Sequence, residues 1–165
     1  MRRPSLPRSR WALQTLGALV VAAALINVVL LVQARSESSV NAARTAALEA
    51  AEVRVPVMFS YRYTDLEADL GVAGGNTTGD FKTKYAKVLR EVVLPNARKR
   101  KVSTQATVQA ASVISSTSSR AEVLLFVNQA TSTKTAEEPV TSSTRIIVTM
   151  TKTSDGWFVS GLEPV

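Results

Sequence analysis

The most restrictive feature of this sequence is an uncharged segment of 24 residues that lies between two arginines, over residues 11–34. Leucine, valine, alanine and isoleucine dominate the segment, and its strongly polar residues are Gln14, Thr15 and Asn27. At about 1.5 Å per residue, a helix of this length is about 36 Å long and crosses a hydrocarbon core of about 30 Å. The segment therefore predicts a transmembrane helix over residues 11–34.

The charges around this segment predict its orientation. Four arginines within the first ten residues supply more than half of the net charge of +7. Because basic residues beside a transmembrane helix stay on the cytoplasmic side, the N-terminus is predicted to be cytoplasmic. We therefore predict a single-pass plasma-membrane protein with a basic cytoplasmic tail over residues 1–10 and an extracytoplasmic portion after Arg35.

A cleaved secretory signal is the competing interpretation of the same segment. Val32-Gln33-Ala34 has small residues at a spacing that a signal peptidase accepts. The apolar run, however, is longer than the 7 to 15 residues of a typical signal core. An uncleaved anchor is therefore the favoured interpretation.

The composition excludes several kinds of functional site. The chain has no cysteine and no histidine, which rules out disulfides, thiolate metal sites and imidazole acid–base chemistry. Asp65, Glu67 and Asp69 cluster at a predicted helix entry, where carboxylates usually complement the helix dipole and face water. We predict no catalytic residues, no metal and no cofactor.

The extracytoplasmic portion begins with helical patterns. Residues 35–62 predict a membrane-proximal helix that joins the domain, and we expect an interruption near Pro56. Thr64 and Glu67 have the spacing of a capping box, which predicts a second helix ending at Leu70. The apolar stripe of the first helix contains Val40, Ala43, Ala47, Leu48, Ala51, Val55 and Met58.

A third predicted helix carries most of the local positive charge. Its apolar face contains Phe81, Tyr85, Val88, Leu89 and Val92. We expect Pro95 to end this helix. Eight basic residues and one acidic residue lie within residues 82–101, a local charge of +7. The basic cluster that follows the helix consists of Arg98, Lys99, Arg100 and Lys101. It is either a solvated loop or an interaction surface for anionic lipid headgroups or an acidic partner.

The last third of the chain changes to the period of β-strands. Alternating or continuous apolar runs occupy residues 102–110, 121–129, 145–153 and 157–162, and Asp155-Gly156 is a strong hairpin signal. Helices followed by consecutive strands predict an α+β domain over residues 63–165. Its expected architecture is a curved antiparallel four-stranded sheet with about three helices on one face.

This arrangement resembles the Mce-associated membrane proteins of actinobacteria. The resemblance rests on Gly79-Asp80-Phe81 with Tyr85, on the strand from Val102 through Ala110-Ala111, and on the ending from Arg145 to Val165. It implies a cone of the nuclear-transport-factor-2-like or SnoaL-like kind, similar also to the outer domain of the type IV secretion assembly factor. It also implies a non-enzymatic accessory role beside an Mce complex that imports fatty acids or sterols.

Two other functions remain as alternatives. The cone could hold a lipid or another small ligand, with Tyr61, Tyr63 and Tyr85 as candidate lining residues, although packing at the core boundary is the favoured role of these tyrosines. Packing is also the favoured role of Trp157. Nucleic-acid binding is disfavoured because aromatic residues do not alternate with the basic ones. The predicted partners are therefore the membrane and Mce-complex proteins.

Overall fold

The computed structural model describes Asn27 and residues 37–134 and 138–165. Apart from Asn27, the predicted anchor over residues 11–34 and the predicted tail over residues 1–10 lie outside the described residues. No helix within the described ranges is long and apolar enough to cross a membrane. The chain divides into two compact units, Met1–Ser39 and Val40–Val165. The predicted boundaries at residues 10, 34 and 62 stay predictions.

Helix α1 spans residues 37–59 and packs an alanine-rich stripe against the sheet. The expected interruption near Pro56 was wrong, because Val55 and Met58 on either side of the proline are buried in the core. Burying such a side chain contributes about 1.5–3 kcal/mol, so the pair offsets the cost of about 3 kcal/mol of a proline inside a helix. The buried stripe consists of Ala43, Ala47, Ala51, Val55 and Met58.

Helix α2 spans Leu66–Gly75, and both of its ends differ from the prediction. The capping box does not form: Asp65 is the N-cap residue, and the Thr64 hydroxyl donates to the Asp65 carboxylate at 2.9 Å instead of to the helix. The predicted end at Leu70 was also wrong, because buried residues continue beyond it. The buried residues of α2 are Leu66, Leu70 and Ala73.

The third helical region continues past the proline that was expected to end it. It consists of α3 over Gly79–Val88, a π-helical turn over Leu89–Val93, and α4 over Leu94–Arg100. In the π-helical turn the Leu94 amide donates to the Leu89 carbonyl, five residues back. This wider turn accommodates Pro95, whose ring would clash with the carbonyl four residues back in a regular α-helix.

The π-helical turn also separates residues that were predicted to share one apolar face. Leu89 is only 6% exposed, whereas Val88 and Val92 are 47% and 53% exposed. Because the turn changes the angular spacing of side chains, Val93 packs against the core in place of Val92. The prediction that Val88 and Val92 belong to the buried face was therefore wrong.

Four long strands form one antiparallel sheet in the order β1-β2-β3-β4. The strands are β1 Ser103–Ser116, β2 Arg120–Ser132, β3 Val140–Thr153 and β4 Gly156–Pro164. Register shifts in β1, opposite Val127/Phe126 and opposite Val123/Glu122, and another between β3 and β4 bend the strands, as β-bulges do. The hairpin at Asp155-Gly156 is confirmed, with Gly156 at a φ of 118°. The predicted α+β class with a four-stranded antiparallel sheet and three helical regions is confirmed.

The main core lies between α1 and one face of this sheet. Trp157 is buried there, which confirms its predicted packing role. Backbone pairing also ties the helical segments to the two edge strands: Tyr61 bridges Thr104 of β1, and Thr77 bridges Val159 of β4. The fully buried large side chains of the sheet are Val123, Leu125, Val148, Met150 and Val159.

Candidate functional site

The basic cluster lies at the C-terminal end of α4 rather than in a loop. Arg98, Lys99 and Arg100 form the last turn of the helix, and Lys101 ends it in a left-handed conformation with a φ of 50°. Cations at this end of a helix stabilise the exposed carbonyl groups and the negative end of the helix dipole. Part of the charge in the cluster therefore has a structural role.

The structure separates Arg98 from the other three members of the cluster. The Arg98 guanidinium forms an ion pair with the Glu67 carboxylate, which joins α4 to α2. Lys99, Arg100 and Lys101 instead line a recess of about 290 Å³ together with Thr133 and Lys134. No local pattern indicates Lys134 as a member, because it approaches the cluster only through the pairing of β1 with β2. The basic surface is therefore formed by Lys99, Arg100, Lys101 and Lys134.

The acidic residues around α2 form surface ion pairs. The Arg62 guanidinium contacts the Asp69 carboxylate at 3.1 Å, and the Arg62 backbone amide donates to the same carboxylate at 2.9 Å. These hydrogen bonds hold the pKa of Asp69 below its usual value. Asp65 lies 3.4 Å from the same guanidinium. The three carboxylates are thus held in ion pairs with Arg62 and Arg98, which the sequence did not predict.

The three tyrosines occupy different environments. The Tyr85 hydroxyl donates to the Met58 carbonyl at 2.6 Å, and burial is the main cause that raises the Tyr85 pKa well above its usual value. Burial also raises the pKa of Tyr61, whereas Tyr63 is 47% exposed. Phe81 stacks on Tyr85 with the ring centroids 5.6 Å apart. Tyr61 and Tyr85 therefore pack at the core boundary, as predicted.

A groove runs between α2, α3 and the π-helical turn. Its volume is about 570 Å³, within the range of about 300–1,000 Å³ that is usual for small-molecule sites. Leu70, Ala73 and Leu89 form a second core cluster, separate from the core between α1 and the sheet. Leu70 and Leu89 also form part of the groove wall. The other lining residues are Glu67, Gly71, Gly74, Gly75, Lys82, Ala86, Arg90 and Leu94. No sequence pattern predicts this groove, because separate helical segments contribute its lining residues.

The charges at the rim of the groove are predominantly positive. Glu67 is neutralised by Arg98, whereas the ion pairs found among the described residues leave Lys82 and Arg90 without an acidic partner. Both side chains are exposed, so their charged groups can face a ligand and water together. The groove thus combines an apolar wall with two cations at its edge.

The space between α1 and the sheet is smaller. A recess of about 120 Å³ lies there beside Phe59, Gln129 and Leu162. This volume is well below that of usual small-molecule sites. Buried aliphatic side chains from the sheet and alanines from α1 fill the region where the alternative hypothesis places a ligand.

Comparisons with known proteins give relatives in sequence and a shared fold. The chain is 36% identical over 123 residues to the outer membrane protein Rv1973 of Mycobacterium tuberculosis, covering 74% of this chain and 76% of that protein. An IcmL-like type IV secretion system protein from Legionella pneumophila has a TM-score of 0.63 at 14% identity, covering 74% of this chain and 91% of that structure. No protein-family model matches the chain.

A second solved structure, the periplasmic domain of DotI, has a TM-score of 0.62 at 15% identity and covers 73% of this chain and 94% of that structure. At such low identities the two structures show a common fold and nothing about activity. They confirm the predicted likeness to an outer domain of the type IV secretion apparatus at the level of fold.

Proposed function

Because this chain belongs to the same family as the outer membrane protein Rv1973 of Mycobacterium tuberculosis, we propose that it is a non-enzymatic accessory subunit of the cell envelope. Its α+β domain would lie outside the cytoplasm, held near the membrane by the segment over residues 11–34. The system it would serve is an Mce-type importer of fatty acids or sterols. The name of the relative and the periplasmic origin of the DotI structure support an envelope location.

The observation that carries the accessory role is the filled interior of the domain. The buried side chains between α1 and the sheet leave a recess of only about 120 Å³, which supports a role carried by the surface of the domain. A membrane tether raises the effective concentration of such a surface for partners in the same membrane. The sequence resemblance to Mce-associated proteins supports the choice of partner.

The basic surface is the part of the domain that we assign to partner binding. Lys99, Arg100, Lys101 and Lys134 lie around one recess and attract acidic protein surfaces or anionic lipid headgroups. Arg98 is assigned a structural role because it holds Glu67. Removing Lys99, Arg100 and Lys101 together therefore tests binding without breaking the contact between α2 and α4.

Affinity purification of the tagged full-length protein from its native membranes in mild detergent tests this proposal. We expect mass spectrometry to find Mce-type subunits in stoichiometric amounts. The variant Lys99→Gln/Arg100→Gln/Lys101→Gln should recover several-fold less of them. The matched control Lys84→Gln/Lys87→Gln/Lys152→Gln removes the same charge from exposed positions elsewhere and should recover the wild-type amount. Recovery of the protein alone would contradict the accessory role, and equal loss in both variants would contradict the assigned surface.

A further inference from the structure

We propose that the groove between α2, α3 and the π-helical turn binds the hydrocarbon chain of a free fatty acid and that Lys82 and Arg90 receive its carboxylate. This inference does not rest on the accessory role proposed above. It rests on the groove, which lies outside the filled space between α1 and the sheet.

The wall of the groove suits a flexible apolar chain. Leu70, Leu89 and Leu94 give it an aliphatic surface, and Ala86 adds a small apolar side chain. On α2, Gly71 and Gly75 leave open space, because a Cβ atom placed on either of them would meet nothing within 4 Å. A hydrocarbon chain lying there would bury apolar surface on both partners, at about 25 cal/mol for each Å² removed from water.

The rim of the groove selects a negatively charged head. Glu67 is already paired with Arg98, so it does not cancel the charges of Lys82 and Arg90. These two cations are eight positions apart, about two helical turns, and both have long side chains that can reach toward a carboxylate lying between them along the groove. A fatty acid matches both features, because its carboxylate can lie beside the two cations and its hydrocarbon chain can pack on the leucines.

The helix that lines the groove contains a π-helical turn at the groove itself. Leu89 and Arg90 belong to the π-helical turn, and such turns occur frequently at functional sites. The turn brings Leu89 into the second core cluster and leaves Arg90 exposed at the rim. A single-chain ligand also matches the volume of about 570 Å³ better than a helix of a partner protein, which has a diameter of about 10–12 Å.

Photolabelling of the full-length protein in its native membranes tests this inference. The probe is palmitic acid carrying a diazirine in its chain, and the readout is the labelled tryptic peptide. We expect strong labelling of the peptide over residues 63–82, which contains the α2 side of the groove, relative to the strand peptide over residues 121–134. Excess unlabelled palmitic acid should abolish this labelling, and uncharged palmityl alcohol should compete several-fold less well.

Two variants separate the two halves of the site. Lys82→Glu/Arg90→Glu should reduce labelling of the α2 peptide several-fold, and this peptide extends over residues 63–84 in the variant because trypsin no longer cuts at position 82. The control Lys84→Glu/Lys152→Glu, with the same change in charge, should leave labelling of the 63–82 peptide unchanged. Gly71→Leu/Gly75→Leu should fill the groove and also reduce labelling, and it should not lower the unfolding temperature, since leucine favours a helix more than glycine does.

Three results would overturn the inference. The first is equal labelling of the wild type and both groove variants, and the second is equal competition by palmityl alcohol and palmitic acid. The third is competition by phosphatidylglycerol vesicles as strong as that by palmitic acid, which would assign the site to membrane lipids. Unchanged labelling with loss of a co-purified protein in Gly71→Leu/Gly75→Leu would instead make the groove a protein-docking site. Because labelling needs no Mce subunit, failure of the accessory role leaves this test intact.

Discussion

At the scale of single residues, one buried hydroxyl connects two helices. Tyr85 of α3 donates to the Met58 carbonyl in the last turn of α1, at 2.6 Å. Replacing Tyr85 with phenylalanine would leave that carbonyl without this donor at little change of shape. We expect Tyr85→Phe to lower the free energy of unfolding by about 1–2 kcal/mol at pH 7. Urea unfolding of the full-length protein in mild detergent, followed by circular dichroism, measures this, and Tyr63→Phe at an exposed position is the control.

The same residue makes a prediction about alkaline pH. Burial raises the pKa of Tyr85 in the folded state above the value of about 10 in the unfolded chain. Above pH 10 the unfolded state therefore loses a proton that the folded state keeps, so stability falls as pH rises. The expected extra slope is at most about 1.4 kcal/mol per pH unit, and it should be absent in Tyr85→Phe. Parallel curves for the two proteins between pH 9 and 11.5 would show that this hydroxyl titrates normally.

Two glycines of this chain should respond to alanine in opposite ways. Gly71 lies inside α2 with open space around its missing Cβ, so Gly71→Ala should raise the free energy of unfolding by about 0.5–1 kcal/mol. Gly156 has a φ of 118°, where an alanine is strained, so Gly156→Ala should lower it by about 1 kcal/mol or more. Thermal unfolding of the two variants beside the wild type measures both signs. Destabilisation by Gly71→Ala would mean that α2 has a different conformation in solution.

At the scale of elements, the π-helical turn decides which valines and leucines of the third helical region are buried. Leu89 belongs to the second core cluster, whereas Val92 is 53% exposed. Leu89→Ala should therefore lower the free energy of unfolding by about 2–3 kcal/mol, while Val92→Ala should change it by less than about 0.5 kcal/mol. Urea unfolding of both variants makes the comparison. Similar losses in the two variants would support the regular helical stripe that the sequence pattern predicts.

The strands were easier to predict than the helices for a physical reason. Alternation with period two and the Asp155-Gly156 turn are local signals, and they identified four strands and their antiparallel order. The two prolines were wrongly predicted to interrupt helices, because proline disfavours a helix locally. Tertiary burial of Val55 and Met58 stabilises the helix around Pro56, and the wider π-helical turn accommodates Pro95. The groove could not be predicted, since it depends on how α2 packs beside α3 and α4.

The membership of the basic surface also depends partly on the local sequence and partly on contacts between distant elements. The run of four cations is visible in the sequence, and three of them, Lys99, Arg100 and Lys101, line one recess. Arg98 does not belong to this surface because it forms an ion pair with Glu67, and Lys134 belongs to it because strand pairing brings it to the same recess. Charge runs therefore locate a candidate surface, and ion pairs across elements decide which of its members are available to a partner.

At the scale of the whole molecule, the predicted membrane topology rests on the first 35 residues. The chain has no cysteine, so Ser5→Cys and Ser154→Cys each introduce a unique thiol, one in the N-terminal tail and one in the exposed turn between β3 and β4. With the N-terminus cytoplasmic, a membrane-impermeant maleimide should label Ser154→Cys in intact cells and Ser5→Cys only after permeabilisation. The reverse pattern would contradict the predicted orientation.

The same pair of variants separates an anchor from a cleaved signal. An uncleaved chain keeps Ser5 and the domain in one membrane-bound polypeptide, because a helix of 24 uncharged residues stays in the bilayer. Cleavage after Ala34 would remove the tail, and no labelled full-length Ser5→Cys chain would remain. A tether and a released domain have different consequences for function, because only a tether would confine the basic surface and the groove to the membrane that holds the proposed partners and fatty acids. Loss of the tail would therefore weaken the accessory role and leave the fatty-acid groove as the better-supported function.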